Sequence, residues 1–278
     1  MHVDRRRDRR RPGGVCAVLI AVHLVAGAGP VAAESVAAIP TGRSVMTTVE
    51  QSSRGNDVTA AAKWRLISAS GRERVRQTRF FRHEDDEDKE IRSRWLLVFD
   101  SPRDVKGTSL LVWSPRDASD DAQQWIFLGS YRKVKRVAAG SRGNSFMGTD
   151  FAFEDLGERP IDDDDHRYVR AEEVNGVHLQ VVESVPTDED APYSKRLQWV
   201  EPKTGTTRKV EFYDRRGAHE KTLVMDWQEF EGAWVATRLD MFNHASGHRT
   251  IVSVGGIRVD RGLEKNVFSP NRLGRSTP

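Results

Sequence analysis

The sequence predicts a mainly β protein, a single curled antiparallel sheet or incomplete barrel of about eleven strands with little helix. Three observations carry this. Beyond residue 62 the chain divides into apolar-rich runs of about five to ten residues with a period of two. Glycine, proline, asparagine and aspartate at hairpin spacing separate most of these runs. Helical periodicity is nearly absent. Closure or near-closure hides the edges that so many strands would expose if flat.

The chain has 278 residues. Its first 33 read as a secretory signal peptide: Arg5, Arg6, Arg7, Arg9, Arg10 and Arg11 form a basic head, Val15 to Val25 an apolar core, and Val31-Ala32-Ala33 a small-residue cleavage site. The apolar core is too short for a membrane span. Cleavage would leave residues 34–278, 245 residues with 38 basic and 39 acidic side chains, long enough for one large all-β domain or two small domains. That near-neutral balance removes the concentrated basic surface a nucleic-acid partner needs. The only cysteine, Cys16, would leave with the leader and lies too early in it for a lipid anchor. A cysteine-free exported domain forms no disulfide and has no thiol nucleophile, and it fits a bacterial periplasm.

In chain order, residues 34–48 have room for one short helix, limited by Pro40 and Gly42, and Ala60 to Trp64 opens either a further element or an early strand. Strands follow over Lys63 to Ser68, Arg72 to Phe81, Arg92 to Phe99, Thr108 to Ser114 and Gln124 to Leu128. Six more span Val177 to Val185, Ser194 to Val200, Thr207 to Tyr213, Lys221 to Phe230, Ala233 to Phe242 and Arg249 to Val254. Ala69-Ser70-Gly71, Asn175-Gly176, Thr204-Gly205, Arg216-Gly217 and Ser246-Gly247 supply turns between them.

Two of these strands are apolar on both faces. Trp95, Leu97 and Phe99 alternate with Leu96 and Val98, and Leu110 and Val112 with Leu111 and Trp113. Both sides must therefore be covered, by a helix, a second layer or a ligand. Later strands are simpler: Leu223, Met225 and Trp227 share a face, as do Val235, Thr237, Leu239 and Met241. Most of these residues read as ordinary core, yet seven tryptophans also suit a ligand groove.

No catalytic constellation is evident. The chain has no nucleophile elbow, phosphate-binding loop or dinucleotide fingerprint, and the His244/His248 pair has serine and glycine between its members. The acidic runs Glu84 to Glu90 and Asp162 to Asp165 lack the ligand spacing of a calcium loop and read as solvated loops. Asp150, Glu154 and Asp155 stand in the aromatic setting RGNSFMGTDFAFEDL, residues 142–156, but show no facing carboxylate. The basic segment Tyr131 to Arg136 reads as a surface edge or a phosphate contact, a lipid headgroup before a nucleic acid.

Trp125-Ile126-Phe127-Leu128, Arg132 to Val137, Ser145 to Phe151 and Glu154-Asp155-Leu156 resemble the bacterial outer membrane lipoprotein-sorting protein family, a LolA-like group. Lys106 to Leu111, Tyr193 to Arg196, Tyr213 to Gly217, Lys221-Thr222-Leu223 and Gly247 to Thr250 extend the resemblance over nearly all of residues 34–273. It implies a LolA-like incomplete antiparallel β-barrel with a helical lid. It also implies a non-enzymatic periplasmic carrier without cofactor or metal, monomeric, that holds the acyl chains of a lipid or lipoprotein. An inner-membrane transporter or exporter and transient contact with a membrane surface are the implied partners. Gly129-Ser130-Tyr131 stands where relatives carry a proline and an aliphatic residue, and Thr149 where they commonly have serine. The expected ligand contacts are Trp95, Leu97, Phe99, Leu111, Trp113, Trp125, Phe127, Phe146, Met147, Trp199, Leu223 and Met225. A non-catalytic accessory subunit of a lipid exporter, or a hydrolase, are the alternatives. Within RGNSFMGTDFAFEDL, Gly143 and Gly148 are expected to turn the backbone, Phe146 and Met147 to meet cargo or close one end of the cavity, and Asp150, Glu154 and Asp155 to fix the loop through hydrogen bonds or to pair with Arg and Lys near residues 132–136.

Overall fold

The computed structural model describes residues 39–117 and 122–275; the expected signal peptide at 1–33 lies outside the described residues. Among the described residues one α-helix, α1 (Gly42–Glu50), precedes the strands. Thr41 caps it, accepting the Ser44 N–H at 3.0 Å. Val45 buries against Val182 and Val200, and Gly42 lies so close to the backbone of His166 and Arg167 that a Cβ would fall 2.5 Å from it. The helix is thereby held over one end of the sheet.

Thirteen strands follow: β1 (Asp57–Ile67), β2 (Glu73–Glu84), β3 (Ile91–Ser101), β4 (Ser109–Pro115), β5 (Gln123–Leu128), β6 (Lys133–Arg136), β7 (Asp164–Val174), β8 (Val177–Pro186), β9 (Tyr193–Glu201), β10 (Thr206–Asp214), β11 (His219–Phe230), β12 (Ala233–Asn243) and β13 (Arg249–Val259). They form one antiparallel sheet in the order β6-β5-β4-β3-β2-β1-β13-β12-β11-β10-β9-β8-β7. The terminal strands β1 and β13 pair in the middle, so the open edges are β6 and β7, which are consecutive in the chain. All eleven expected strands are present. The two additional ones are the edges, and β1 starts at Asp57 rather than Lys63. The segment Asp162 to Asp165, expected as a solvated loop, instead leads into β7, with Asp164 buried.

Residues 137–163 connect the two edges by crossing one face, here called the front. Their contacts show how strongly the sheet curls. Gln124 on β5 donates its amide to the Phe153 carbonyl at 2.9 Å, while neighbouring Glu154 meets Arg196 of β9 at 3.3 Å. Nine strand spacings separate β5 from β9, which in a flat sheet would be roughly 40 Å. The front face therefore closes around its own connecting loop, and its core gathers Trp64, Trp95, Leu97, Phe99, Leu110, Val112, Phe146, Phe151, Phe212, Leu223 and Met241.

The opposite, back face carries Phe81, Leu96, Val98 and Leu111, covered by Leu263, Val267, Phe268 and Leu273 of the C-terminal segment. Asp57 starts this strap by accepting the backbone N–H groups of Arg261, Gly262 and Leu263. Lys265 secures it to Asp85 at 3.0 Å, and Asp85 also pairs with Arg94. The run Glu84 to Glu90 is thus not merely solvated, because Asp85 is buried in an ion-paired corner.

Asp88 belongs to the same corner. Hydrogen bonds from the N–H groups of Ile91 and Glu90, together with Arg94, pull its carboxyl down to about 2. Its folded value lies below the unfolded one of about 3.9, so its stabilisation is complete above about pH 4 and fades as pH falls through 2. The melting-temperature gap between wild type and Asp88→Asn should be constant from pH 7 to 4 and vanish near pH 2. A gap unchanged down to pH 2 would contradict this.

Candidate functional site

Between the front face and the connecting loop lies a cavity of about 360 Å³. Its walls come from β1, β2 and β3 on one side (Ala60, Ala62, Trp64, Phe80, Trp95, Leu97) and β11, β12 and β13 on the other (Leu223, Met225, Trp227, Leu239, Val252, Val254). Phe151 and Leu156 of the loop complete it. Charged side chains reach it only at the mouth, where Arg54, Arg82, Asp155 and Glu158 stand. There it adjoins a polar vestibule of about 620 Å³ that extends to Met46, Val49 and Glu50 of α1.

The mouth is electrostatically organised. Arg82 binds Glu158 at 2.7 Å and also pairs with Glu84. Burial pushes the Glu158 carboxyl up, but Arg82, Arg54 and Arg92 outweigh it and hold the group below the ordinary range. Arg54 lies over the Trp227 ring, 4.9 Å from its centroid. Burial lowers its pKa.

The loop that roofs the cavity is anchored by its acids. Asp155 accepts from Tyr193 Oη at 2.9 Å, Lys221 Nζ at 3.1 Å and the Ala152 N–H at 2.7 Å. Asp150 accepts from Thr250 Oγ1 at 2.6 Å and lies 2.7 Å from His248 Nδ1. Glu154 pairs with Arg159 at 2.7 Å as well as with Arg196. The expected partners near residues 132–136 are not used: β6 is exposed along its length, and the cations come from β9, β11 and the loop itself. Burial, with Asp155 next, pushes the Tyr193 hydroxyl well up, so it remains a hydrogen-bond donor. These groups hold a backbone in place. Gly148 has φ +72°, as expected for a turn, whereas Gly143 is needed for close packing, a Cβ there falling 2.9 Å from Pro192.

Of the twelve residues expected to touch ligand, Trp95, Leu97, Leu223 and Met225 line the front cavity. Phe99 and Phe146 lie deeper in the same core, with Met147 packed against it. Leu111, Trp113, Trp125 and Phe127 face the back, where Trp113 Nε1 donates to the Phe268 carbonyl at 2.9 Å. Trp199 packs in a separate cluster with Leu179 and Val181, with Lys209 Nζ 3.5 Å from its ring centroid. Phe80, Trp227, Leu239 and Val254 also line the cavity and were absent from the expected set. The shared face of Val235, Thr237 and Leu239 was the signal available for β12.

Among the described residues no group of three or more His, Cys, Asp or Glu side chains could hold a metal ion, and no helix is long and apolar enough to cross a membrane. A family model described only as "Uncharacterized protein" matches residues 91–275. A comparison with curated proteins finds no match. Among solved structures, the chain is similar to an outer membrane lipoprotein-sorting protein domain from Vibrio parahaemolyticus, with 32% identity and a TM-score of 0.78 over 84% of this chain and 98% of that one. It is similar to a DUF1329 family protein from Desulfovibrio piger, with 26% identity and a TM-score of 0.78 over 84% and 97% of the two chains. A LolA superfamily protein from Nitrosomonas europaea, 18% identical, shares the fold at a TM-score of 0.65 over 84% and 100%.

Proposed function

The chain belongs to the outer membrane lipoprotein-sorting protein family of LolA-like fold, and from that membership we propose that it is a periplasmic carrier whose front cavity takes up an apolar chain of a lipid or lipoprotein. The observation that supports this most is the contrast between apolar walls and a charged mouth. A chain entering that space leaves water at about 0.8 kcal/mol per methylene, while its polar end stays in the vestibule. At roughly 30 Å³ per methylene, about a water's share of the liquid, the cavity suits a single chain of about a dozen methylenes. The role proposed here needs no catalytic step. Delivery from an inner-membrane transporter belongs to the same proposal, as does brief contact with a membrane surface through the exposed cations of β6.

The proposed contacts are Trp95, Leu97, Leu223 and Met225 with Phe80, Leu239 and Val254. Leu239→Trp places an indole inside the cavity. Titrated with an uncharged fluorescent hexadecanoyl ester, this variant should bind at least ~10-fold more weakly than wild type, the order of effect expected when an overfilled site must repack. Wild-type affinity in a folded variant would refute the assignment of this cavity.

A further inference from the structure

A second cavity, of about 840 Å³, lies on the back face between the sheet and the C-terminal strap. Its floor includes Leu96, Val98 and Phe127, and its far wall Leu263, Val267 and Leu273. Five cationic side chains line it, Arg79, Lys106, Arg132, Arg272 and Arg275, against two carboxylates, Asp100 and Glu264. Arg79 is engaged by Asp100 at 3.2 Å. Lys106, Arg132, Arg272 and Arg275 are exposed, and none forms an ion pair among the described residues. The groove is therefore electropositive at its rim and apolar at its floor.

Ser109 supplies an independent observation. It stands on β4 with the same parity as back-facing Leu111, lines the groove, and is 2% exposed. Its Oγ has no hydrogen-bond partner among the described residues. A buried hydroxyl left unsatisfied costs stability, and this one belongs to a residue that lines the groove.

We propose that this groove is a second binding site, separate from the front cavity, for an anionic amphiphile. The oxyanion head, phosphate or carboxylate, pairs with Lys106, Arg132 and Arg272 and accepts from Ser109, and the hydrocarbon chain lies along Phe127, Leu263 and Val267. The cations provide charge-assisted hydrogen bonds, and the floor discriminates an amphiphile from a free anion. The site does not depend on the front cavity holding a ligand.

The test uses the Leu239→Trp protein, in which the front cavity is filled, and hexadecyl phosphate below its aggregation concentration. One equivalent should bind by native mass spectrometry and titration, more weakly as salt rises. Adding Lys106→Gln, Arg132→Gln and Arg272→Gln, all exposed positions, should weaken binding at least ~10-fold. Ser109→Ala should weaken it several-fold while leaving the melting temperature equal or higher, a pairing that a purely structural serine would not give. Unchanged affinity in the triple variant overturns the proposal, as does equal binding of hexadecanol. Inorganic phosphate binding as tightly as hexadecyl phosphate would identify a free-anion site and overturn it also. If wild type fails to take up the hexadecanoyl probe while the groove binds hexadecyl phosphate, the carrier reading falls and this site stands.

Discussion

Replacing Lys221 with methionine should destabilise the protein by about 3–5 kcal/mol, the typical result of removing one partner from a buried ion pair. The Lys221 side chain is 5% exposed and that of Asp155 3%. Lys221 Nζ reaches three oxygens, the Asp155 carboxylate, Tyr193 Oη and the Asp150 carbonyl. Without the ammonium, a buried carboxylate faces a phenol whose proton is its main remaining side-chain donor. For a domain of this size the loss corresponds to a fall in Tm on the order of 10 °C, measurable by calorimetry. The effect should reach beyond β11, because Asp155 holds the loop over the cavity; hydrogen exchange in residues 144–156 should rise together with exchange in β9. A fall of under about 1 kcal/mol would show that the loop is held by its apolar contacts alone.

Phe146→Ala should be comparably severe, about 3–5 kcal/mol by urea unfolding, as expected for deleting a fully buried aromatic ring. The ring is wholly inaccessible and sits 5.5 Å from Phe153, 5.9 Å from Phe99 and 6.5 Å from Trp64, centroid to centroid. Its neighbour Met147 is only partly buried, and its carbonyl, which survives any side-chain change, accepts from Arg76 at 2.6 Å. Met147→Ala should therefore cost less than about half as much. Equal costs for the two would mean that the aromatic cluster repacks around the deletion. Adjacent in sequence and alike in hydrophobicity, these residues differ because the turn at Met147, with φ +52°, sends one side chain into the core and leaves the other at its margin.

The strands were legible wherever one face is buried, since a period of two then marks both the element and its orientation. That is why β8 to β12 and the hairpins joining them were expected within a few residues, and β13 from its first residue though it runs five residues further; β3 and β4, apolar on both faces, were marked instead by short apolar runs between turn residues. The edges were not. Lys133–Arg136 is exposed throughout, and Asp164–Val174 alternates polar residues with few apolar ones, so neither gives a periodic signal. Alternation also separates two faces without saying which encloses a cavity. Trp95 and Leu97 turned out to face it, while Leu111 and Trp113, apolar for the same reason, pack beneath the strap. The strap itself has its apolar residues spaced irregularly over 263–273, in short turns that no helical or strand period describes. The acids of the loop were recognised as anchors, but their partners lie some 30 to 100 residues away on other strands, a relation only the fold creates.

The central claim is that the front cavity holds the apolar chain of a cargo, and lipid analysis of the protein isolated from its own periplasm tests it most directly. Native mass spectrometry of wild type should show a lipid or lipoprotein retained at close to one per protein. Leu239→Trp, folded by its melting curve and carrying Lys106→Gln, Arg132→Gln and Arg272→Gln so that the back groove takes up no lipid, should be isolated without it. A wild-type protein that is folded, carries no lipid and takes up no acyl probe would contradict the claim and leave the cavity as a packing feature of an accessory protein.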